Sequence, residues 1–433
     1  DRIPMSSSSG QNMEQSFLNH LTDELLIEIF IRLPSSKEAI QCKSVCNRWL
    51  SLISSDYFLN TSLIHNRNYD KKTLRPFTFL SINWNFFDFF ISEKGLDVFE
   101  CSLEKGLSKR VNLGFLYSGR PSKYHISLEE SYGDLILCSR NSSDIIDYYI
   151  VNVLTKQWIE LPPTPLENNS HYREDESVGF LIEPNCVDNA ARYEYLVLRF
   201  MPWGDSKFSS QMFSSEKGKW TRLVVTSPRN LNILTRRTSI VACGRILYTF
   251  TYKRSDVVDC VLAFDPFTND PAQFLCVIDF PVEARDIRCL ACKLGVCGGR
   301  LRFAQLILQP SGYLCISIWE LGDDHRMGKW TLVHQRIPTD KAFRVPKRAT
   351  QWVSVLGFHP YNEDLICFLV GNDHVVVYNI QTDKVESSTL VSLFKVISPR
   401  SLEPDVELHH VVPITLNWWP TPVRQSLWTQ SLD

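Results

Sequence analysis

Between Asp23 and Leu33, seven of eleven residues are large and apolar: Leu25, Leu26, Ile27, Ile29, Phe30, Ile31 and Leu33. On a 3.6-residue helix they cover most of the circumference, so such a helix must be covered on more than one side. The flanking residues predict its ends. Thr22 suits the N-cap, Asp23 and Glu24 lie at the positive end of the dipole, Leu21 and Leu26 have the spacing of a hydrophobic staple, and Pro34 marks the stop. Ser35 with Glu38 has capping-box spacing for a second helix running to about Ser44. Cys46, Trp49, Leu50 and Ile53 recur at i, i+3, i+4 and i+7 on a third. Residues 17–64 are therefore expected to form a helical module with more apolar surface than about forty residues can hide, which calls for a partner protein.

Beyond about residue 70 the period shortens to that of strands, and β-branched and aromatic runs alternate with turn residues. A loose repeat of about fifty to sixty residues begins each time with a turn and a strongly apolar strand. These are Gly133-Asp134 before Leu135–Leu137, Tyr195–Leu198, Gly244-Arg245 before Ile246–Tyr248, Gly299-Arg300 before Leu301–Phe303, and Asp364 before Leu365–Phe368. A second strand and a charged turn follow, several times ending at a tryptophan: Trp158, Trp220 and Trp330. Radial repetition of four-stranded sheets buries both faces of each unit and leaves few open edges. The expected fold is an α+β multidomain chain: a small all-α module, then an all-β propeller-like domain of about six blades over residues 70–422. The segment His409–Leu416 is expected to return to the first blade and close the ring. Residues 1–16, rich in Ser, Asn and Gln, are expected to be disordered, and 423–433 to be a tail.

The helical stretch resembles the F-box, the module by which substrate receptors dock on the Skp-type adaptor of cullin-RING ubiquitin ligases. The resemblance rests on Leu21, Asp23, Leu25, Leu26, Ile29, Leu33, Pro34, Val45, Cys46, Trp49, Leu52 and Ile53 in order and spacing, with Leu21-Thr22 where F-boxes usually have Leu-Pro. The β region resembles the degenerate kelch or F-box-associated propeller that accompanies the F-box in plant receptors. The resemblance implies adaptor contacts at Leu21, Leu25, Leu26, Ile29, Leu33, Pro34, Val45 and Trp49, indirect attachment to cullin and a RING subunit, and a propeller that binds an unknown protein target.

The regularly placed tryptophans read as packing residues between blades, so target recognition is assigned to irregular loops: Trp203, Arg236, Arg237, Arg348 and Trp352. Two other readings stand beside this one: a receptor gated by a small molecule in the propeller funnel, and an enzyme built on the propeller. The second needs His and carboxylate residues converging on one face of the ring. No nucleophile elbow, phosphate loop, His-Glu-x-x-His or dinucleotide fingerprint is present in the sequence. The paired acids Glu129-Glu130 and Asp323-Asp324 are read as solvated turn residues.

Composition narrows the rest. Forty-six basic against 48 acidic residues give a net charge of −2, which advertises neither nucleic acid nor membrane surface as a partner. No run of eighteen apolar residues exists to span a bilayer. Thirteen cysteines scattered through apparent strands, with no apolar leader before them, predict a reducing compartment, the cytoplasm or nucleus. Cys289, Cys292 and Cys297 cluster without a second pair or a His pair, so neither a metal nor a cofactor is expected.

Overall fold

The computed structural model describes residues 20–33, 36–55, 57–59, 61–62, 77–82, 96–100, 109–111, 126–142, 145–152, 155–165, 177–187, 190–203, 207–227, 240–254, 257–268, 270, 273–284, 291–309, 314–322, 328–338, 353–370, 374–390, 411–415, 421 and 423. Its contacts divide the chain into two compact units, residues 1–70 with 184–193 and residues 71–183 with 194–433. The expected disordered segment 1–16, most of the expected tail, Pro34 and Ser35 lie outside the described residues.

Three helices form in the first unit: α1 (Asp23–Ile31), α2 (Ser36–Cys42) and α3 (Asn47–Ile53). The cap expected of Thr22 is present, since its backbone is extended and its hydroxyl accepts the Leu25 N–H at 3.4 Å. Leu26, Ile27, Phe30 and Ile31 fill the inner arc of α1 and, with Ala39, Ile53 and Phe58, are the buried apolar residues of this unit among the described residues. The Trp49 ring stands edge-on to Phe30 at 4.9 Å. Arg48 ties α3 to the start of α1: its Nε and Nη2 donate to Asp23 Oδ1 at 3.0 and 2.7 Å, and Nη2 reaches the Leu21 carbonyl at 2.6 Å.

In the second unit the described strands make six four-stranded sheets, the blades of an all-β propeller. Blade one joins β1 (Phe77–Ile82), β2 (Leu96–Glu100) and β3 (Lys109–Val111) to β24 (Val411–Thr415). Blade two is β4 (Ile126–Tyr132), β5 (Leu135–Ser142), β6 (Ile145–Asn152) and β7 (Gln157–Glu160). Blade three is β8 (Ser177–Val187), β9 (Ala190–Trp203), β10 (Lys207–Ser214) and β11 (Lys219–Thr226). Blade four is β12 (Val241–Cys243), β13 (Ile246–Arg254), β14 (Val257–Phe264) and β15 (Leu275–Asp279). Blade five is β16 (Ala291–Cys297), β17 (Arg300–Leu308), β18 (Leu314–Leu321) and β19 (Trp330–Pro338). Blade six is β20 (Val353–Phe358), β21 (Leu365–Val370), β22 (His374–Asn379) and β23 (Lys384–Leu390).

The first strands of neighbouring blades touch: β24 with β4, β12 with β16, and β16 with β20, while Gly179 of β8 bridges to Ile240 just before β12. This places the first strands around the axis. The five apolar runs that open the sequence repeats are the second strands, β5, β9, β13, β17 and β21, and their cores are almost wholly dry. Hydrophobic clusters lie between blades. One joins Leu181, Leu198 and Phe208 to Leu247, Leu262 and Phe264, the next joins Tyr248 and Val261 to Phe303 and Trp330, and a third joins Leu306 and Ile316 to Ile366 and Phe368. Trp220 and Trp330 take the packing role expected of them. The Trp220 indole donates to the Pro162 carbonyl at 2.8 Å, and Trp330 stacks on Phe280 at 5.5 Å. Trp158 packs instead within its own blade, 5.9 Å from Tyr149.

The ring closes as expected, by antiparallel pairing of β24 with β1 from Phe77↔Thr415 to Ser81↔Val411. A clasp follows the strand. Buried Asp134 accepts the Thr421 N–H at 2.7 Å, the Thr421 hydroxyl, and Asn152 Nδ2 at 3.0 Å, while Asn152 Nδ2 also donates to the Thr421 carbonyl at 2.8 Å. Val423 N donates to Gln157 at 3.3 Å.

Close approach near the axis depends on missing side chains. A Cβ at Gly179 would sit 2.7 Å from Cγ2 of Ile240, a side chain with no exposed surface. Gly179→Ala is expected to destabilise the propeller by about 1–3 kcal/mol, because Ile240 is β-branched and fixed in the core. An unchanged denaturation midpoint for this variant would show that the blades absorb the methyl.

Between β20 and β21 a histidine takes the place of a turn asparagine. Buried His359 Nδ1 accepts the N–H groups of Tyr361 at 3.1 Å and Asn362 at 3.0 Å. Asn379 Oδ1 does the same for Gln381 and Thr382 in another turn of this blade. Burial pushes the His359 imidazole down to about 4. The unfolded chain, with an ordinary imidazole, therefore binds a proton between pH about 6.5 and about 4 that the fold refuses. Stability is expected to fall through that window, by at most about 3 kcal/mol. Chemical denaturation between pH 7 and 4 is expected to show His359→Asn losing less than wild type, because asparagine caps the turn without titrating.

Candidate functional site

The six exposed large apolar residues of the helical unit make the candidate docking surface. Leu25 is 52% exposed, Ile29 46%, Ile40 47%, Val45 61%, Leu50 45% and Tyr57 53%. On α1 the cause is angular. The inner arc is taken by Leu26, Ile27, Phe30 and Ile31, and Leu25 and Ile29, one turn apart, fall beside it and project outward. Glu28 and Arg32 complete the rim with an i,i+4 ion pair at 3.0 Å. Two seven-residue helices do not reach far enough to cover the remainder.

Of the residues the sequence singles out for docking, Leu25, Ile29 and Val45 are exposed and Leu21, Leu33 and Trp49 are half-buried. Leu26 is 1% exposed and belongs to the unit's own core. The predicted stripe on α3 is split: Ile53 is buried, while Cys46 and Leu50 are exposed. Ile40 and Tyr57 extend the exposed set beyond the residues the sequence picked out. An apolar side chain in a short amphipathic stretch gives no sign in the sequence of which neighbour is too short to cover it.

On the propeller, Trp203 ends β9 opposite Lys207, and Arg236, Arg237, Arg348 and Trp352 lie outside the described residues. The reading of Glu129-Glu130 as a solvated turn is corrected: both lie in β4 and are buried, 5% and 6% exposed. Strand β4 carries an irregularity in its pairing with β5 between Leu128 and Glu130, and such a bulge re-aims side chains. Two buried arginines meet acidic partners. Arg302 Nε meets Glu320 at 2.8 Å and its Nη1 donates to the Glu363 carbonyl at 2.9 Å, while Arg140 meets Asp147 at 2.5 Å.

Among the described residues no three His, Cys, Asp or Glu side chains come together as a metal site, and no helix is long and apolar enough to cross a membrane. The ten cysteines whose side chains are described are free thiols. Burial pushes Cys243 and Cys297 up to about 11, which makes them inert packing groups.

A capped trihelical unit with an uncovered apolar face, followed by a six-bladed propeller, defines an F-box protein with a β-propeller, and the F-box domain family matches residues 18–61. The chain belongs to the family described as F-box protein At3g26010-like, beta-propeller, which matches residues 92–392. Among its relatives are the putative F-box/kelch-repeat protein At1g15680 and F-box protein At3g26010, both of Arabidopsis thaliana. The first is 25% identical over 73% of this chain and 72% of the relative, and the second 26% identical over 84% and 78%.

Proposed function

We propose that this chain is the substrate-recognition subunit of a Skp-cullin-F-box ubiquitin ligase. The helical unit docks on a Skp-type adaptor, through which cullin and the RING subunit are reached, and the propeller holds a protein target. The observation that carries this reading is the set of half-exposed apolar side chains on the F-box helices, Leu25 and Ile29 one turn apart on α1 foremost among them. Each is already about half covered, so burial under an adaptor contributes about 1 kcal/mol per side chain, before the entropy of association is subtracted. The family match to an F-box supports the same partner.

In this role the chain does no covalent chemistry. It raises the effective concentration of a target lysine beside an activated thioester carried by another subunit. Free thiols throughout the described residues suit work in the cytoplasm or nucleus. Purified full chain mixed with a recombinant plant Skp-type adaptor is expected to co-elute with it from a sizing column. Separate elution of the two folded proteins would overturn the reading. Targets are expected among proteins captured only when the proteasome is inhibited.

A further inference from the structure

The pairing that seals blade one ends at Thr415, yet further on the chain is gripped a second time, by side chains. The grip lies at the end of blade two where the β4–β5 and β6–β7 turns sit side by side. Every polar group of Thr421 is read there: Asp134 accepts its N–H at 2.7 Å and its hydroxyl, and Asn152 Nδ2 donates to its carbonyl at 2.8 Å. Gln157 accepts the Val423 N–H at 3.3 Å, and Thr421 and Val423 are 5% and 7% exposed. We propose that this end of blade two is a peptide-binding site for a partner segment with threonine two places before valine, and that the chain's own residues 421–423 fill it in cis.

The blade itself does not dictate what the pair of Asp134 and Asn152 grips. Asn152 Oδ1 is used within the blade, accepting the Thr155 N–H at 3.1 Å, which leaves the two Nδ2 protons for Asp134 and for the Thr421 carbonyl. Blade six has Asp364 and Asn379 in the same two places, since Leu365 pairs with Asn379 as Leu135 pairs with Asn152. There Asn379 Oδ1 again serves its own turn, but both residues are half-buried and Nδ2 turns to exposed Glu386 at 2.9 Å. The turn thus forms in both blades, and in blade two the amide of the asparagine is directed at a peptide.

Bonds to a main-chain N–H and carbonyl hold any peptide, and the bond from the hydroxyl to Asp134 selects threonine over valine, because a methyl group there leaves the buried carboxylate short of a donor. Only five residues separate Thr415 from Thr421, so the cis segment competes at high effective concentration and keeps the site closed to weak ligands. Peptide binding is argued from these bonds alone, and only its use for target capture rests on the proposed receptor role.

The test uses the full chain without adaptor. Thr421→Asp sets a carboxylate against Asp134 and frees the site, and Val423→Asp frees it by a second route. Each is expected to keep the sheet signal in circular dichroism and to melt below wild type. A labelled peptide of residues 419–424, Trp-Pro-Thr-Pro-Val-Arg, is expected to raise the melting temperature of the opened chains saturably. It is expected to bind them at least about tenfold more tightly than it binds wild type, and about tenfold more tightly than the same peptide with valine for threonine. No saturable binding, equal affinity for wild type and opened chains, or equal affinity for the valine peptide overturns the proposal. Loss of the sheet signal in both variants overturns it too, since it assigns the segment to the fold. Elution of wild type as a dimer that Thr421→Asp dissolves assigns the site to a second copy of the chain and overturns the partner reading.

Discussion

Glutamate at both Leu25 and Ile29 is expected to abolish adaptor binding and leave the melting of both units unchanged. These two side chains are 52% and 46% exposed and lie one turn apart, so the change adds charge to solvent in the free protein. Under an apolar partner surface the same carboxylates lose their water without gaining a counter-charge. A penalty of about 4 kcal/mol or more corresponds to roughly a thousandfold in affinity. Calorimetric titration with the adaptor, beside circular dichroism of the free chain, reads both halves of the expectation. Leu26→Glu makes the contrast. That residue is 1% exposed, so its charge enters the core of the helical unit and removes binding by unfolding it. A double variant at Leu25 and Leu26 would therefore mix the two effects. Full binding by the Leu25/Ile29 variant would remove the docking face from consideration.

Asp134→Ala is expected to cost the propeller about 3–5 kcal/mol. Asp134, Asn152 and Thr421 are almost wholly buried, and the one carboxylate accepts from both the N–H and the hydroxyl of Thr421 and from the Asn152 amide. Its removal strands donors that water does not reach, at about 1–3 kcal/mol each. It also frees the segment that follows β24, whose pairing with β1 seals the ring. Thr421→Val, which keeps the backbone N–H, is expected to cost about 1–2 kcal/mol. Equilibrium denaturation of the three proteins orders them wild type, Thr421→Val, Asp134→Ala. A result in which Asp134→Ala matches wild type would show that strand pairing alone holds the closure.

How much of this was legible depended on where each strand sits. Second strands such as β5 from Leu135 to Arg140 and β21 from Leu365 to Leu369 are dry on both faces, so they read as apolar runs, and the glycines before several of them have left-handed backbone, Gly133 at φ 62° and Gly244 at 59°. Third and fourth strands followed from the charged turns and the tryptophans. Apart from β24, which the returning segment His409–Leu416 foretold, first strands escaped detection. The segments ISLEESY of β4 and ACKLGVC of β16 border the axis, where polar and apolar surroundings mix and no clean period survives. That is why Glu129-Glu130 looked like a turn. In the helical unit the elements and the Thr22 cap were readable, but the division between Leu25 outside and Leu26 inside was not. Both are leucine, and only the reach of α2 and α3 decides which is covered.

The strand that seals blade one arrives last. Asp134 and its clasp partner Thr421 are separated by 287 residues, so during synthesis the β1 edge waits unpaired until nearly the whole ring has left the ribosome. The helical unit precedes the ring in the chain and has its own small core. On the proposed function, a nascent chain could thus dock on its adaptor while the propeller is unfinished, and a chain cut short before Val411 would bring an open sheet edge to the ligase in place of a finished propeller.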